Sequence, residues 1–143
     1  MKTLFTGIVA CAIIALASCQ KIPIYQEPLF DGNNYVIDFG SLREKEPVFY
    51  SVSFHDKRVS FFVVKVDGDV QSYFNACNEC YPRKLGYYFE GGFLICKFCN
   101  ERYPVDALKG GIGSCYPVYL KGTLRENRYL ITREALGEGF KFF

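Results

Sequence analysis

Seven cysteines are the residues of this 143-residue sequence best suited to chemistry, and they stand beside a single histidine. Four form the pattern C-x2-C-x15-C-x2-C, with Cys77 and Cys80 in the first pair and Cys96 and Cys99 in the second. A gap of two residues lets a tight turn direct both sulfurs at one point, so two pairs supply a tetrahedron. The pattern therefore predicts one shared metal site, without selecting between zinc, copper and an iron–sulfur cluster.

Cys115 follows a glycine-rich loop at residues 110–114 and is a candidate fifth thiol of the same site. It can act there as a metal ligand or a resolving thiol, or it can be a small buried residue beneath the loop. The alternative for the whole set is a pair of disulfides, because an exported chain enters an oxidising compartment. We favour the metal site, since a bridge within C-x2-C closes a very small ring, more typical of redox-active than of structural disulfides.

The first 19 residues have the composition of a targeting segment. Lys2 supplies a positive charge, and residues 4–17 form an apolar run shorter than the roughly 20 residues that cross a bilayer. The junction Leu16-Ala17-Ser18-Cys19 resembles the lipobox of bacterial lipoproteins, in which the peptide is cut before the cysteine and that cysteine is lipidated. The resemblance implies a signal peptide at 1–18, a lipid anchor on Cys19 and a location in the cell envelope, outside the cytoplasm.

The elements that must position the cysteines are predicted to be strands. Residues 19–34 contain two prolines and no clear period, so we expect a tether, followed by one domain over 35–143. Short runs rich in aromatic and β-branched residues alternate with glycine and aspartate turns, which indicates a mainly β fold, a small antiparallel sandwich or barrel. The predicted strands are 35–38 (at an edge), 49–54, 58–66, 70–74, 93–95, 117–120 and 128–132, with a helical turn at 133–136 against which the terminal phenylalanines pack.

Composition excludes several classes of function. Half of the residues are apolar, which allows a buried core and excludes a disordered chain. The formal charge of +2, without a basic block, gives no indication of a nucleic-acid partner. No Ser-His-Asp or paired-carboxylate arrangement is present to support a hydrolase. His55 lies at a predicted hairpin tip, where an exposed polar residue is the expectation.

The order of features around the cysteines resembles two known arrangements. Two cysteine-bearing loops beside a glycine- and proline-containing loop resemble the Rieske layout, with Cys80 and Cys99 where the Rieske histidines would stand. Residues 47–143 resemble the FtrD-like family of membrane iron–sulfur-containing proteins. The segments that carry this resemblance are Phe74–Cys80, Leu85–Tyr87, Leu94–Asn100, Tyr103–Val105 and Gly111–Pro117.

The family resemblance implies a metal or cluster domain on the outer side of a membrane, with a lipid anchor here where many relatives have membrane helices. We expect an iron–sulfur centre held by Cys77, Cys80, Cys96 and Cys99, with Cys115 covering or joining it, and zinc or copper as alternatives. The expected role is electron transfer or iron or copper handling beside a membrane redox or metal-transport partner, rather than hydrolysis or group transfer. The alternatives are a structural zinc module for protein contact and a thiol–disulfide oxidoreductase.

For other residues near the cysteines, the sequence does not separate a role at the metal site from an ordinary structural one. The polar residues of the ligand loops can tune the centre or be solvated: Asn78, Glu79, Lys97 and Asn100. Gly111 and Gly113 suit a close approach of backbone amides to sulfur or a tight turn. Core packing is the expectation for the nearby tyrosines, Tyr87, Tyr88, Tyr103 and Tyr116.

Overall fold

The computed structural model describes residues 22–111 and 113–143, and in these ranges the chain is mainly β. The strands are β1 Tyr25–Gln26, β2 Leu29–Asp31, β3 Asn34–Asp38, β4 Val48–Phe54, β5 Lys57–Val66, β6 Asp69–Cys77, β7 Tyr87–Glu90, β8 Phe93–Cys96, β9 Arg102–Pro104, β10 Pro117–Tyr119, β11 Thr123–Arg125 and β12 Arg128–Thr132. One α-helix, α1, covers Arg133–Glu138, and 3-10 turns lie at Phe39–Ser41, Tyr81–Arg83, Val105–Gly110 and Phe140–Phe142.

The strands form three sheets. The orders are β1-β4-β5-β6-β10, β11-β12-β3-β2 and β7-β8-β9, and strand pairing is antiparallel except between β1 and β4. The predicted mainly β fold with antiparallel sheets is confirmed, as is the hairpin of β4 and β5. None of the sheets in the described ranges closes into a barrel.

The five-stranded sheet is central because both of its faces are covered by apolar side chains. Successive side chains of a strand point to opposite faces, so the apolar run in β5 serves two cores at once. Phe61 and Val63 contribute to the larger cluster, called here the main core. Phe62 and Val64 contribute to the cluster that contains the cysteines, called here the sulfur-side core. The main core also contains residues of β3, β12 and α1, and the sulfur-side core contains Cys77, Tyr87, Leu94, Cys96 and Cys115.

The C-terminal segment closes the main core. Thr132 caps α1 by accepting a hydrogen bond from the Ala135 amide at 3.0 Å. The buried Leu136 faces inward, and Phe140, Phe142 and Phe143 pack against the same cluster, as the sequence predicts.

The segment expected to be a tether is partly built into the sheets. β1 pairs with β4 and β2 pairs with β3, so β3 lies inside its sheet and is not the predicted edge strand. Both added strands are two or three residues long and exposed. Such strands form by extending the backbone hydrogen bonds of longer neighbours, and their own side chains have no apolar period to signal them.

Candidate metal centre

Three segments of the chain bring cysteines to one end of the central sheet. Cys77 ends β6, and Cys80 lies in the turn after it. Cys96 ends β8, and Cys99 follows in the next turn. Cys115 comes from the loop before β10, whose first residue pairs with Cys77. The predicted strand 93–95 is confirmed as part of β8, which forms a hairpin with β7 through Gly91 and Gly92.

Both cysteine pairs are folded by the same kind of turn. The Cys80 amide donates a hydrogen bond to the Cys77 sulfur at 3.2 Å. In the second pair, the amides of Phe98 and Cys99 donate to the Cys96 sulfur. A two-residue gap thus turns the chain so that the first sulfur accepts amide hydrogen bonds and the second sulfur approaches it. Amide donors of this kind stabilise sulfur in its anionic, metal-binding form.

The five sulfurs are close neighbours. Cys77 and Cys115 are joined by a disulfide. The Cys115 sulfur lies 3.3 Å from that of Cys80 and 3.0 Å from that of Cys99. The sulfurs of Cys77, Cys80, Cys96 and Cys115 all lie within 4.8 Å of one another, close enough to hold a metal ion. The structure therefore places Cys115 inside the group, while Cys99 is adjacent to it.

The cluster is buried on one side and open on the other. Cys77, Cys96 and Cys115 are at most 2% exposed, Cys80 is half-buried and Cys99 is exposed. Desolvation and the neighbouring thiols of Cys99 and Cys96 raise the pKa of Cys80 to about 12, and burial raises the pKa of Cys96. Several thiolates this close repel one another, so a bound cation would offset a real electrostatic cost.

Asn75 joins the two cysteine-bearing units, a role that the sequence pattern does not predict. It is buried on β6, two residues before Cys77, and its Oδ1 accepts a hydrogen bond from the Tyr87 amide at 2.7 Å. Its Nδ2 donates to the Tyr25 hydroxyl at 2.7 Å. Gly86 packs against it with φ of +66°, and a Cβ there would lie 2.7 Å from Asn75 oxygens. The Gly86 carbonyl in turn accepts from the Lys97 amide at 3.0 Å, next to Cys96.

The remaining sequence candidates have mostly local roles. The Asn78 amide donates to the Tyr116 carbonyl at 3.0 Å and so ties the first cysteine turn to the Cys115 loop. Asn100 has φ of +62° and closes the second cysteine turn through a bond to the Cys96 carbonyl. His55 is exposed at the β4–β5 turn, as predicted, with its ring against Phe54 and Phe140. Cys19 lies outside the described residues.

The donor set fits a thiophilic metal centre. All ligand atoms offered by the group are sulfurs, the donors that iron–sulfur clusters, Zn²⁺ and Cu(I) share. The fold and the site together define a β-sheet domain with a cysteine-rich candidate metal centre at the junction of two sheets.

Comparison with known families agrees with this class. The chain belongs to the family described as membrane iron-sulfur containing protein FtrD-like, whose model matches residues 42–143. A comparison with curated proteins gives no match. Within residues 22–111 and 113–143, no helix has the length and apolar character needed to cross a membrane.

Proposed function

We propose that the protein carries a thiolate-bound metal centre, an iron–sulfur centre in the first instance, and serves electron transfer or iron or copper handling at a membrane. The observation that carries the proposal is the convergence of cysteine sulfurs from three separate segments at one end of the central sheet. Membership of a family described by membrane location and iron–sulfur content supports the same function.

The residues that would hold the centre are Cys77, Cys80, Cys96 and Cys99, the set that the spacing predicts, together with Cys115. When bound, an iron–sulfur centre supplies one-electron transfer at a potential set by its ligands, hydrogen bonds and exposure. The chain's own contribution is to hold the sulfurs, to donate amide hydrogen bonds to them, and to exclude water on the side of the sulfur-side core. Cys99 provides the exposed edge toward a redox or metal-transport partner.

A structural zinc module is the second candidate, and the all-sulfur donor set of the group supports it. Four thiolates at about 2.3 Å from one Zn²⁺ lie roughly 3.8 Å apart at the corners of a tetrahedron. The four sulfurs of the group all lie within 4.8 Å of one another, so one ion can reach all four once the Cys77–Cys115 disulfide is reduced. In that case the metal would hold the loops and contribute directly to folding.

The membrane attachment that we propose is a lipid on Cys19, supported by the Leu16-Ala17-Ser18-Cys19 pattern. Metabolic labelling with a clickable palmitate analogue in a bacterial host tests it. Label on the wild-type chain that disappears in Cys19→Ser, with Cys11→Ser still labelled, is the expected result. Equal labelling of wild type and Cys19→Ser would contradict the anchor.

The metal proposal is tested by purifying the full chain under anaerobic conditions and measuring iron, acid-labile sulfide, zinc and copper beside the visible spectrum. Iron with matching sulfide and a brown chromophore is expected, with both lost in Cys96→Ser. A colourless protein with one zinc would replace the electron-transfer role with the structural one. A metal-free protein with disulfides between the cysteines would overturn the metal centre and favour the thiol–disulfide alternative.

A further inference from the structure

Tyr87 contacts each of the three segments that bring cysteines together. On β7 it is the register partner of Cys96 on β8. Its amide donates to Asn75 Oδ1 at 2.7 Å, two residues before Cys77 on β6. Its hydroxyl donates to the Cys115 carbonyl at 2.7 Å.

The Tyr87 hydroxyl supplies the Cys115 carbonyl with a hydrogen bond that a strand or helix would otherwise provide. The chain before β10 is an irregular loop, and a buried carbonyl there must find a hydrogen-bond donor outside a sheet ladder. The Tyr87 side chain is fully buried, and its phenol O–H is the donor that this carbonyl finds.

Tyr103 holds the same cysteine from the other side. Its hydroxyl accepts a hydrogen bond from the Cys115 amide at 3.1 Å, and the loop passes close to it, since a Cβ on Gly113 would lie 3.1 Å from that oxygen. Tyr103 lies on β9, the neighbour of β8. Both polar groups of the Cys115 peptide backbone are therefore bound by phenols of the sheet that carries Cys96.

We propose that Tyr87 is the positioning residue of the sulfur cluster, fixing the Cys77 strand and the Cys115 loop relative to Cys96, with Tyr103 as its counterpart on the Cys115 amide. The proposal rests on the proposed metal centre, because it explains how a fifth sulfur is held within reach of the others. Packing alone requires only the aromatic rings, whereas positioning requires the hydroxyls.

Tyr87→Phe and Tyr103→Phe separate these roles, and Tyr129→Phe is the matched control. Tyr129 is also buried, and its hydroxyl bonds Ser72 Oγ at 2.8 Å in the main core, away from the sulfurs. We expect Tyr87→Phe and Tyr129→Phe to lower the melting temperature of the protein by similar amounts. Only the two sulfur-side variants should change the behaviour of the cysteines.

The first readout is Co²⁺ titration of the reduced full chain under anaerobic conditions, monitored by the sulfur-to-cobalt charge-transfer bands. Tyr87→Phe and Tyr103→Phe should weaken Co²⁺ binding by about 10–100-fold, the range typical of lost outer-shell partners, and lower the band intensity. Tyr129→Phe should match wild type. Wild-type affinity and spectra in both sulfur-side variants would overturn the proposal.

The second readout needs no metal and keeps the two proposals distinguishable. Alkylation of reduced, metal-free protein, located by mass spectrometry, should modify Cys115 at least about tenfold faster in Tyr87→Phe than in wild type, because the loop opens without its donor. An unchanged rate would overturn the positioning role. Failure of wild-type protein to bind Co²⁺ would overturn the metal centre, while this alkylation rate would still decide the role of Tyr87.

Discussion

At the residue scale, the site consists of cysteines with unequal environments. Cys77, Cys96 and Cys115 are sealed in the sulfur-side core, Cys80 is half-buried, and Cys99 is exposed beside them. This gradient separates sulfurs that are held by packing from a sulfur that solvent or a partner can reach. The burial of Cys115 beside the other sulfurs is the reason we propose it as a ligand.

Serine substitutions at Cys115 and Cys99 are expected to differ. Because Cys115 belongs to the four sulfurs within 4.8 Å of one another, Cys115→Ser should weaken metal binding by more than about 100-fold, beyond the loss typical of an outer-shell partner. Cys99→Ser should retain the metal with a smaller loss of affinity. Competition with a chromophoric chelator measures both. The reverse order would support the set of four that the spacing alone predicts.

Metal uptake should depend on reduction of the Cys77–Cys115 disulfide. Thiolates, not disulfide sulfurs, bind metals, so within residues 22–111 and 113–143 the oxidised chain offers only Cys80, Cys96 and Cys99. A phosphine reductant should raise the stoichiometry of bound Zn²⁺ toward one per chain, measured after desalting. Binding of one Zn²⁺ per chain by protein in which the Cys77–Cys115 disulfide is still intact would contradict this dependence.

The cysteine pattern was predictable because ligand spacing is local, but the residues that support it were not. The C-x2-C turns follow from two-residue gaps, and the structure brings both pairs together. Asn75 acts through a hydrogen bond from β6 to β7, which lie in different sheets, and the Tyr87 hydroxyl acts on a loop that is distant in sequence. The sequence predicts only core packing for Tyr87, since an aromatic at strand spacing gives no indication of what its hydroxyl binds.

At the element scale, the β6–β7 junction fixes the distance between the two cysteine turns. Gly86 is required there, because its positive φ disfavours other residues and its position leaves no room for a Cβ beside Asn75. The short strands β1 and β2 escaped prediction because they are recruited by β4 and β3, whereas the long apolar run of β5 was predictable from its own residues.

Gly86→Ala should lower the free energy of unfolding by about 2–4 kcal/mol, since it combines backbone strain with a clash. Gly68→Ala is the matched control, because Gly68 has φ of +79° with nothing within 4 Å of the added Cβ. Its cost should be about 1 kcal/mol. Urea denaturation measures both, and equal losses would show that strain alone acts at Gly86.

At the scale of the whole molecule, the central sheet separates a main core from the sulfur-side core. Packing defects on the two faces should therefore have different consequences for the metal centre, although both lower stability. The predicted mainly β fold is confirmed, but the division into two cores depends on which sheet covers which face. That information is non-local and absent from strand periodicity.

Leu94→Ala and Ile131→Ala test the division, because both side chains are fully buried, one in each core. Each should lower the free energy of unfolding by about 2–5 kcal/mol. Only Leu94→Ala should also speed the release of bound metal to a chelator at a temperature where both variants are folded. Equal release rates would show that the two cores are not separate in effect.

The central claim is that cysteine sulfurs are the only protein ligands of the metal centre. X-ray absorption at the edge of the bound metal, measured on the reduced full chain, tests it most directly. We predict a first shell of sulfur only, at about 2.3 Å, with no nitrogen or oxygen ligand. A nitrogen or oxygen scatterer in that shell would contradict the claim, because His55 and the carboxylates would then have to reach a site that the fold builds from sulfur.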